Sequence, residues 1–302
     1  MTFTANGEYL VCGGWEGVGV WRVKNGERVA TMQAVKGVRC VAVSKDGRFI
    51  AMGSWDGDVV VWDATTYKQV FVRRIDPIIQ DVDFSPDATQ LISANGDRDT
   101  ATIWDVTAGK KVQTLDHGSW VLAAKYSPQG DRIATANQES VRVWDGDDGR
   151  LLVNVKVGLD PWRGLLWFDN HLFVKIDNTK IRQIDASTGL TVSEWSAPHN
   201  KYSCIALPQH GKFIACSTKA NITFWDTLTH TQLALLPSSE NGPIAFSPDD
   251  RIAIVAQEKK IIIKTLSVVK VCPVLFRSLL AREHVSLSHT KGPGHWYRKR
   301  RT

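Results

Sequence analysis

The sequence predicts an all-β fold, a seven-bladed β-propeller of four-stranded antiparallel blades with the first blade incomplete and a short basic C-terminal tail, on three observations. One is a repeat. Trp-Asp pairs stand at Trp62-Asp63, Trp104-Asp105, Trp144-Asp145 and Trp225-Asp226, with weaker equivalents at Trp21-Arg22, Ile184-Asp185 and Lys264-Thr265, in steps of 41, 42, 40, 40, 41 and 39 residues. A step of about 40 residues holding four short strands marks a propeller rather than a sandwich. The second is the texture of each unit, short segments rich in β-branched residues broken by Asp, Gly, Pro and Asn. The third is size: 302 residues, 43% apolar and 23% charged, suffice for a buried core, and repeats that bury their faces only against neighbours make one domain.

The unit from Ala51 to Phe71 shows the pattern best. Phe49 to Ser54 and Val59 to Trp62 read as two strands of a hairpin turning at Asp56-Gly57, a dipeptide that tolerates positive φ. Units two to four are the clearest, with inner strands VRCVAV, IIQDVDFS and WVLAAKYS. Unit five has lost its Trp and shortened its first turn to Asp169-Asn170; unit six recovers the pair; unit seven ends on Lys264-Thr265. At the amino terminus Phe3 to Gly7 matches Phe84 to Ala88, so the chain is expected to open in mid-unit, either as a fragment of a longer protein or with residues after Leu266 supplying the last strand of the ring. The predicted division is 1-268 for the propeller and 269-302 for an outer strand or short helix and a basic, disordered tail, with an outer strand at Val268 to Leu275 and helix-like spacing over Phe276 to Val285.

The Trp-Asp pairs, together with Phe-Ser-Pro-Asp at Phe84 to Asp87 and Phe246 to Asp249, resemble the WD-repeat β-propeller family over roughly residues 3 to 268, and the overall wording is similar to that of fungal WD-repeat proteins. The resemblance implies a structural role for Trp62, Asp63, Trp104, Asp105, Trp144, Asp145, Trp225 and Asp226. It further implies a buried network in which a turn Asp, an early His and the third-strand Trp are linked. Asp56 keeps the Asp position, but its counterparts are Arg98, Gln138 and Lys219, and only His117 and His199 stand near the His position. Most blades are therefore expected to rely on apolar packing.

Five cysteines, Cys12, Cys40, Cys204, Cys216 and Cys272, are scattered with no Cys-x-x-Cys spacing, which reads as buried thiols in a reducing compartment rather than a disulfide or metal framework. No signal peptide or membrane-length apolar run is visible. The expected location is cytoplasmic, with the nucleus as the alternative. The net charge of +6 resides wholly in the tail: from Leu266 onward eight basic residues face Glu283 alone, and the remainder is one unit negative. The propeller itself thus shows no phosphate-binding field, and nucleic acid or another anionic surface is left only to Arg298, Lys299, Arg300 and Arg301.

No catalytic constellation stands out. The eight His lack metal spacing, the Asp145-Asp147-Asp148 cluster lacks the downstream Glu of a calcium loop, and the glycines of CGGWEGVGV precede a strand rather than a helix. No metal, cofactor or small-molecule substrate is predicted. What remains is a surface. The loops leading into the inner strands and the turns joining second and third strands gather on one face, which would carry Arg39, Trp55, Gln80, Trp120, Leu122, Trp162, Arg163 and Tyr202, with Trp15, Asp97 and Arg98 beside them. Trp, Tyr and Arg are frequent interface hot spots. The reading is a non-catalytic protein-protein interaction scaffold; the alternatives are a propeller enzyme with an unrecognised site and an anionic-surface binder.

Overall fold

The structure, a computed structural model, describes residues 1–33, 37–75, 78–96, 98–157, 164–176, 179–196, 204–218, 221–237, 243–249, 251–255, 260–267 and 280–288, the last three segments as backbone apart from Ile263. Every regular element among them is a strand. The first sheet holds β1 (Thr2–Phe3), β2 (Tyr9–Gly13), β3 (Gly17–Arg22) and β4 (Arg28–Gln33). The second holds β5 (Val38–Val43), β6 (Phe49–Ser54), β7 (Asp58–Asp63) and β8 (Gln69–Arg74); the third β9 (Ile79–Phe84), β10 (Gln90–Asn95), β11 (Thr100–Asp105) and β12 (Lys111–Asp116). The fourth holds β13 (Ala123–Tyr126), β14 (Arg132–Ala136), β15 (Ser140–Asp145) and β16 (Leu151–Lys156); the fifth β17 (Leu165–Phe168), β18 (His171–Ile176), β19 (Lys180–Asp185) and β20 (Thr191–Ser196). The sixth holds β21 (Cys204–Ala206), β22 (Phe213–Ser217), β23 (Asn221–Asp226) and β24 (Gln232–Pro237); the last sheet holds β25 (Ile244–Phe246), β26 (Arg251–Val255), β27 (Lys260–Ser267) and β28 (Leu280–Ser288). Each is an antiparallel meander.

The expectation of a seven-bladed propeller with an incomplete first blade is corrected to six blades. Six four-stranded blades, β1–β24, are described with their side chains and share one build, and the first is among them, its short β1 pairing Thr2 with Val11 and Phe3 with Leu10. The remaining sheet differs in kind. Its third and outer strands run to 8 and 9 residues against at most 6 elsewhere, and Lys264-Thr265 stands where the blades place Trp-Asp. Its outer strand is Leu280–Ser288, which overlaps the stretch whose spacing reads as helix over residues 280–285, and alternation of apolar and polar residues over Val285, Ser286, Leu287 and Ser288 suits the edge of a sheet. The predicted outer strand at 268–275 and the basic run at 298–301 lie outside the described residues.

Two turn devices recur because the sequence repeats them. After the inner strand, the hydroxyl of Ser44, Ser85 or Ser127 accepts the N–H of the residue five positions on (2.9, 2.9 and 3.1 Å) and donates to Asp46, Asp87 or Asp131 (2.7, 2.6 and 2.7 Å). Thr4 and Asn6 do the same in the first blade, at 3.1 and 2.7 Å. After the third strand, Oδ1 of Asp63, Asp105, Asp145, Asp185 and Asp226 each accepts two backbone N–H groups two and three residues on. This is an Asx turn, and its bonds hold the carboxyls of Asp63, Asp105, Asp145 and Asp185 below their usual range.

Packing runs from sheet to sheet. Val11, Val18, Val20 and Met32 of the first blade meet Ile50, Met52, Val60 and Trp62 of the second, and Phe49, Val59 and Phe71 meet Val82, Phe84 and Trp104 of the third. The last contact of the series joins Phe3, Leu10, Cys12 and Trp21 to Ala245 and Ile263, so the last sheet stands between the sixth blade and the first, and β1 lies beside β25. Trp62, Trp104, Trp144 and Trp225 are all buried, as their repeat position implies. Among the described residues no helix is long and apolar enough to cross a membrane.

Candidate partner-binding face

The patch grows from one glycine. Gly37 precedes β5 with φ of 81°, its N–H donates to the carbonyl of Trp15 at 2.9 Å and its carbonyl accepts the N–H of Trp55 at 3.0 Å. It thereby ties the β2–β3 turn of the first blade to the β6–β7 turn of the second. A Cβ there would lie 3.0 Å from Cδ1 of Trp55 and 3.5 Å from Cζ3 of Trp15, so both indoles lie over the glycine. Positive φ and lack of room each require Gly. Trp15 and Trp55 remain 58% and 47% exposed. The guanidinium carbon of Arg39, near the start of β5, sits 4.2 Å from the Trp55 ring centroid, a cation–π contact that holds a charge against an exposed aromatic face.

The other predicted binding residues divide. Gln80 is half-buried over Gly96, with Nε2 2.8 Å from where a Cβ would be. Trp120 is 54% exposed, in the loop leading into β13. Leu122 is 5% exposed and its N–H bonds Ala136, which places it in the packing rather than on the face. Trp162, Arg163, Tyr202 and Asp97 lie outside the described residues. The structure therefore brings together Trp15, Arg39 and Trp55.

Beneath the face, the expected loss of the Trp network is only half the finding. In the third blade Trp104 donates to Ser93 Oγ (3.0 Å), Ser93 to Asn95 Oδ1 (3.1 Å), and Asn95 to the hydroxyls of Thr100 and Thr102 (3.2 and 2.9 Å). Trp144 donates to Thr135 (2.7 Å) and Trp225 to Thr223 (3.0 Å). Short hydroxyl and amide groups thus replace the Asp and His. His117 lies edge-on to Trp144 at 6.5 Å, 1% exposed, and burial followed by the Arg142 charge pushes its pKa down to about 4. In the second blade the buried acid is Asp58, while Asp56 is exposed at the turn tip, its N–H bonded to Ser54 Oγ at 3.2 Å.

A charged bridge missed by the motif reading joins two inner strands. Asp81 and Asp83 of β9 reach the open edge of β13, where Asp83 Oδ2 accepts the Tyr126 N–H at 2.9 Å and Asp81 Oδ2 the Ala124 N–H at 3.4 Å. Lys125 Nζ lies 2.9 Å from Asp81 Oδ2 and 4.0 Å from Asp83 Oδ1. Burial pushes Asp83 up to about 6, against the pull of Lys125 and the Tyr126 N–H. The signal was present in IIQDVDFS and WVLAAKYS: aligned on their Ser-Pro motifs, Asp83 and Lys125 take the same position in adjacent repeats. Among the described residues no group of three or more His, Cys, Asp or Glu is placed to hold a metal ion.

The family model "WD domain, G-beta repeat" matches residues 26–63 and 109–145. The small ribosomal subunit protein RACK1y of Oryza sativa subsp. japonica is 26% identical over 147 residues, 48% of this chain and 44% of that one. WD repeat-containing protein 1 of Gallus gallus is 42% identical over 28% of this chain and 14% of its own length, and the LST8 homolog of Drosophila melanogaster 34% identical over 33% and 34%. The chain thus spans less than half the length of these curated relatives. Among solved structures, the β-propeller domain of Myceliophteria thermophila Cps50 (Swd1) superposes with a TM-score of 0.75 at 17% identity over 85% of this chain and 92% of that one. A chain of the mitotic checkpoint complex superposes with a TM-score of 0.77 at 18% identity, covering 87% of each. The chain thus carries matched WD repeats at residues 26–63 and 109–145 and is similar to WD-repeat proteins, and its sheets have the fold of a β-propeller.

Proposed function

We propose that this chain is a non-catalytic scaffold that holds a protein partner against the face carrying Trp15, Arg39 and Trp55. WD-repeat propellers generally act as protein-interaction scaffolds. The observation that carries the finer reading is the pair of indoles left half in water over Gly37 with a guanidinium stacked 4.2 Å from one of them. Large rigid aromatics beside an oriented charge give much contact area for little ordering entropy. We place the protein in the cytoplasm, where the four described cysteines would remain free.

The test compares partners captured by the wild type with those captured by Trp15→Ala/Trp55→Ala and by Arg39→Glu, with circular dichroism in parallel. Removing two hot-spot aromatics should weaken a partner docked there by about 100-fold or more. Folding should hold, since the indoles are exposed. Identical partner sets from folded proteins would move the binding face elsewhere.

A further inference from the structure

The inner strands converge at their far ends on a cavity of about 470 Å³. Its wall includes Phe3, Val43, Phe84, Tyr126, Trp167 and Phe246, which stand at one register position in six different sheets, each opposite the second residue of the next strand. All but Val43 are aromatic. One position earlier on β9 the carboxyl of Asp83 opens on the same cavity, its side chain 28% exposed. This end is opposite the Trp15–Trp55 face: Arg39 and Val43 mark the two ends of β5, about 13 Å apart at strand rise.

Asp83 is the one acid among the described residues lining the cavity. Asp81 and Asp83 share the one ammonium of Lys125, which is bonded to Asp81 at 2.9 Å and stands 4.0 Å from Asp83 Oδ1, beyond a direct hydrogen bond. A carboxylate opening on a concave site of several hundred Å³ beside aromatic residues suits a cation with an apolar stem. Lys45, exposed on the rim, carries the one positive charge among the described side chains lining the cavity.

We propose that this end of the channel binds a Lys or Arg side chain presented by a protein partner, its charge on the Asp83 carboxylate and its stem along the cavity wall beside Trp167 and Phe246. The site is separate from the Trp15–Trp55 face and stands or falls without it.

The test titrates the full chain with N-acetyl-arginine methylamide and N-acetyl-lysine methylamide, and with the uncharged norleucine analogue, by saturation-transfer NMR. The cationic probes should bind in the millimolar range and the norleucine analogue about tenfold more weakly. Asp83→Asn, which keeps an oxygen for the Tyr126 N–H, should reduce cationic binding by about tenfold, while Leu228→Ser, at an exposed position outside both sites, leaves it unchanged. Should Asp83→Asn fail to fold, Trp167→Ala and acidification serve instead. Binding should fall between about pH 7.5 and about pH 5 as Asp83 takes up a proton, with Asp81, Lys125, Tyr126 and Lys45 the other titratable groups around it. Equal binding of the uncharged analogue, full binding by folded Asp83→Asn, or no cationic binding at ~10 mM would each overturn the proposal.

Discussion

Asp105 accepts the N–H groups of Thr107 and Ala108 at 2.9 and 2.7 Å and the Thr107 hydroxyl at 2.8 Å, and its role is to close a turn rather than to serve the Trp beside it. That is why Asp185 persists in the fifth blade where Trp has become Ile184. Asp105→Ala should lower unfolding free energy by about 1 kcal/mol, the size of a lost cap, and Asp105→Asn by less; denaturant midpoints check both. His117 carries the sharper residue-scale prediction. Its folded pKa of about 4 lies below the ordinary 6.5, so between these values the unfolded chain binds the proton that the folded one refuses. The stability it contributes is complete above about pH 6.5 and is lost as pH falls towards 4, by roughly 3 kcal/mol. Unfolding free energies at pH 7 and about pH 4.5 should differ more for wild type than for His117→Leu; equal differences would show the imidazole to be solvated.

At the scale of the strand, the third blade shows what sets the Trp in place. Trp104 is buried between the second and third blades and donates to Ser93 on the neighbouring strand, so Trp104→Ala should cost about 3–5 kcal/mol through lost packing. Ser93→Ala should cost about 1–3 kcal/mol by orphaning the indole N–H and the Asn95 amide network. A denaturant midpoint unchanged in Ser93→Ala would show the network to be incidental. The strands themselves were legible because burial imposes period two and the turns demand Asp, Gly or Ser at fixed offsets. The replacement network was not legible. Ser93, Thr135 and Thr223 are ordinary strand residues in the sequence, and only the packed sheets reveal that each lies within reach of an indole. The face was half legible: Trp15, Arg39 and Trp55 come together as register implies, whereas Leu122, equally apolar in that alignment, turns into the core.

For the whole molecule the decisive element is the last sheet, which lies between the sixth blade and the first. Its repeat motif has decayed to Lys264-Thr265, so neither the buried Trp nor the Asx turn is there to define where its outer strand begins. The ladder supplies that definition instead, pairing Lys260 with Ser288 and Ser267 with Leu280, with one register shift between Ile263 and Lys264. Removing residues 280–302 would leave β27 as an uncovered edge, with its N–H and C=O groups unpaired and a run of three isoleucines, Ile261 to Ile263, beside them. Removing only 289–302 leaves every described strand paired. The shorter truncation should therefore melt with the intact chain, while the longer one should melt at least several °C lower and aggregate at concentrations where the other stays monomeric. Thermal unfolding with light scattering separates the two. If both truncations behave alike and resemble the intact chain, then the contact of Phe3, Leu10 and Trp21 with Ala245 and Ile263 holds the sheet without its outer strand, and the six complete blades determine stability.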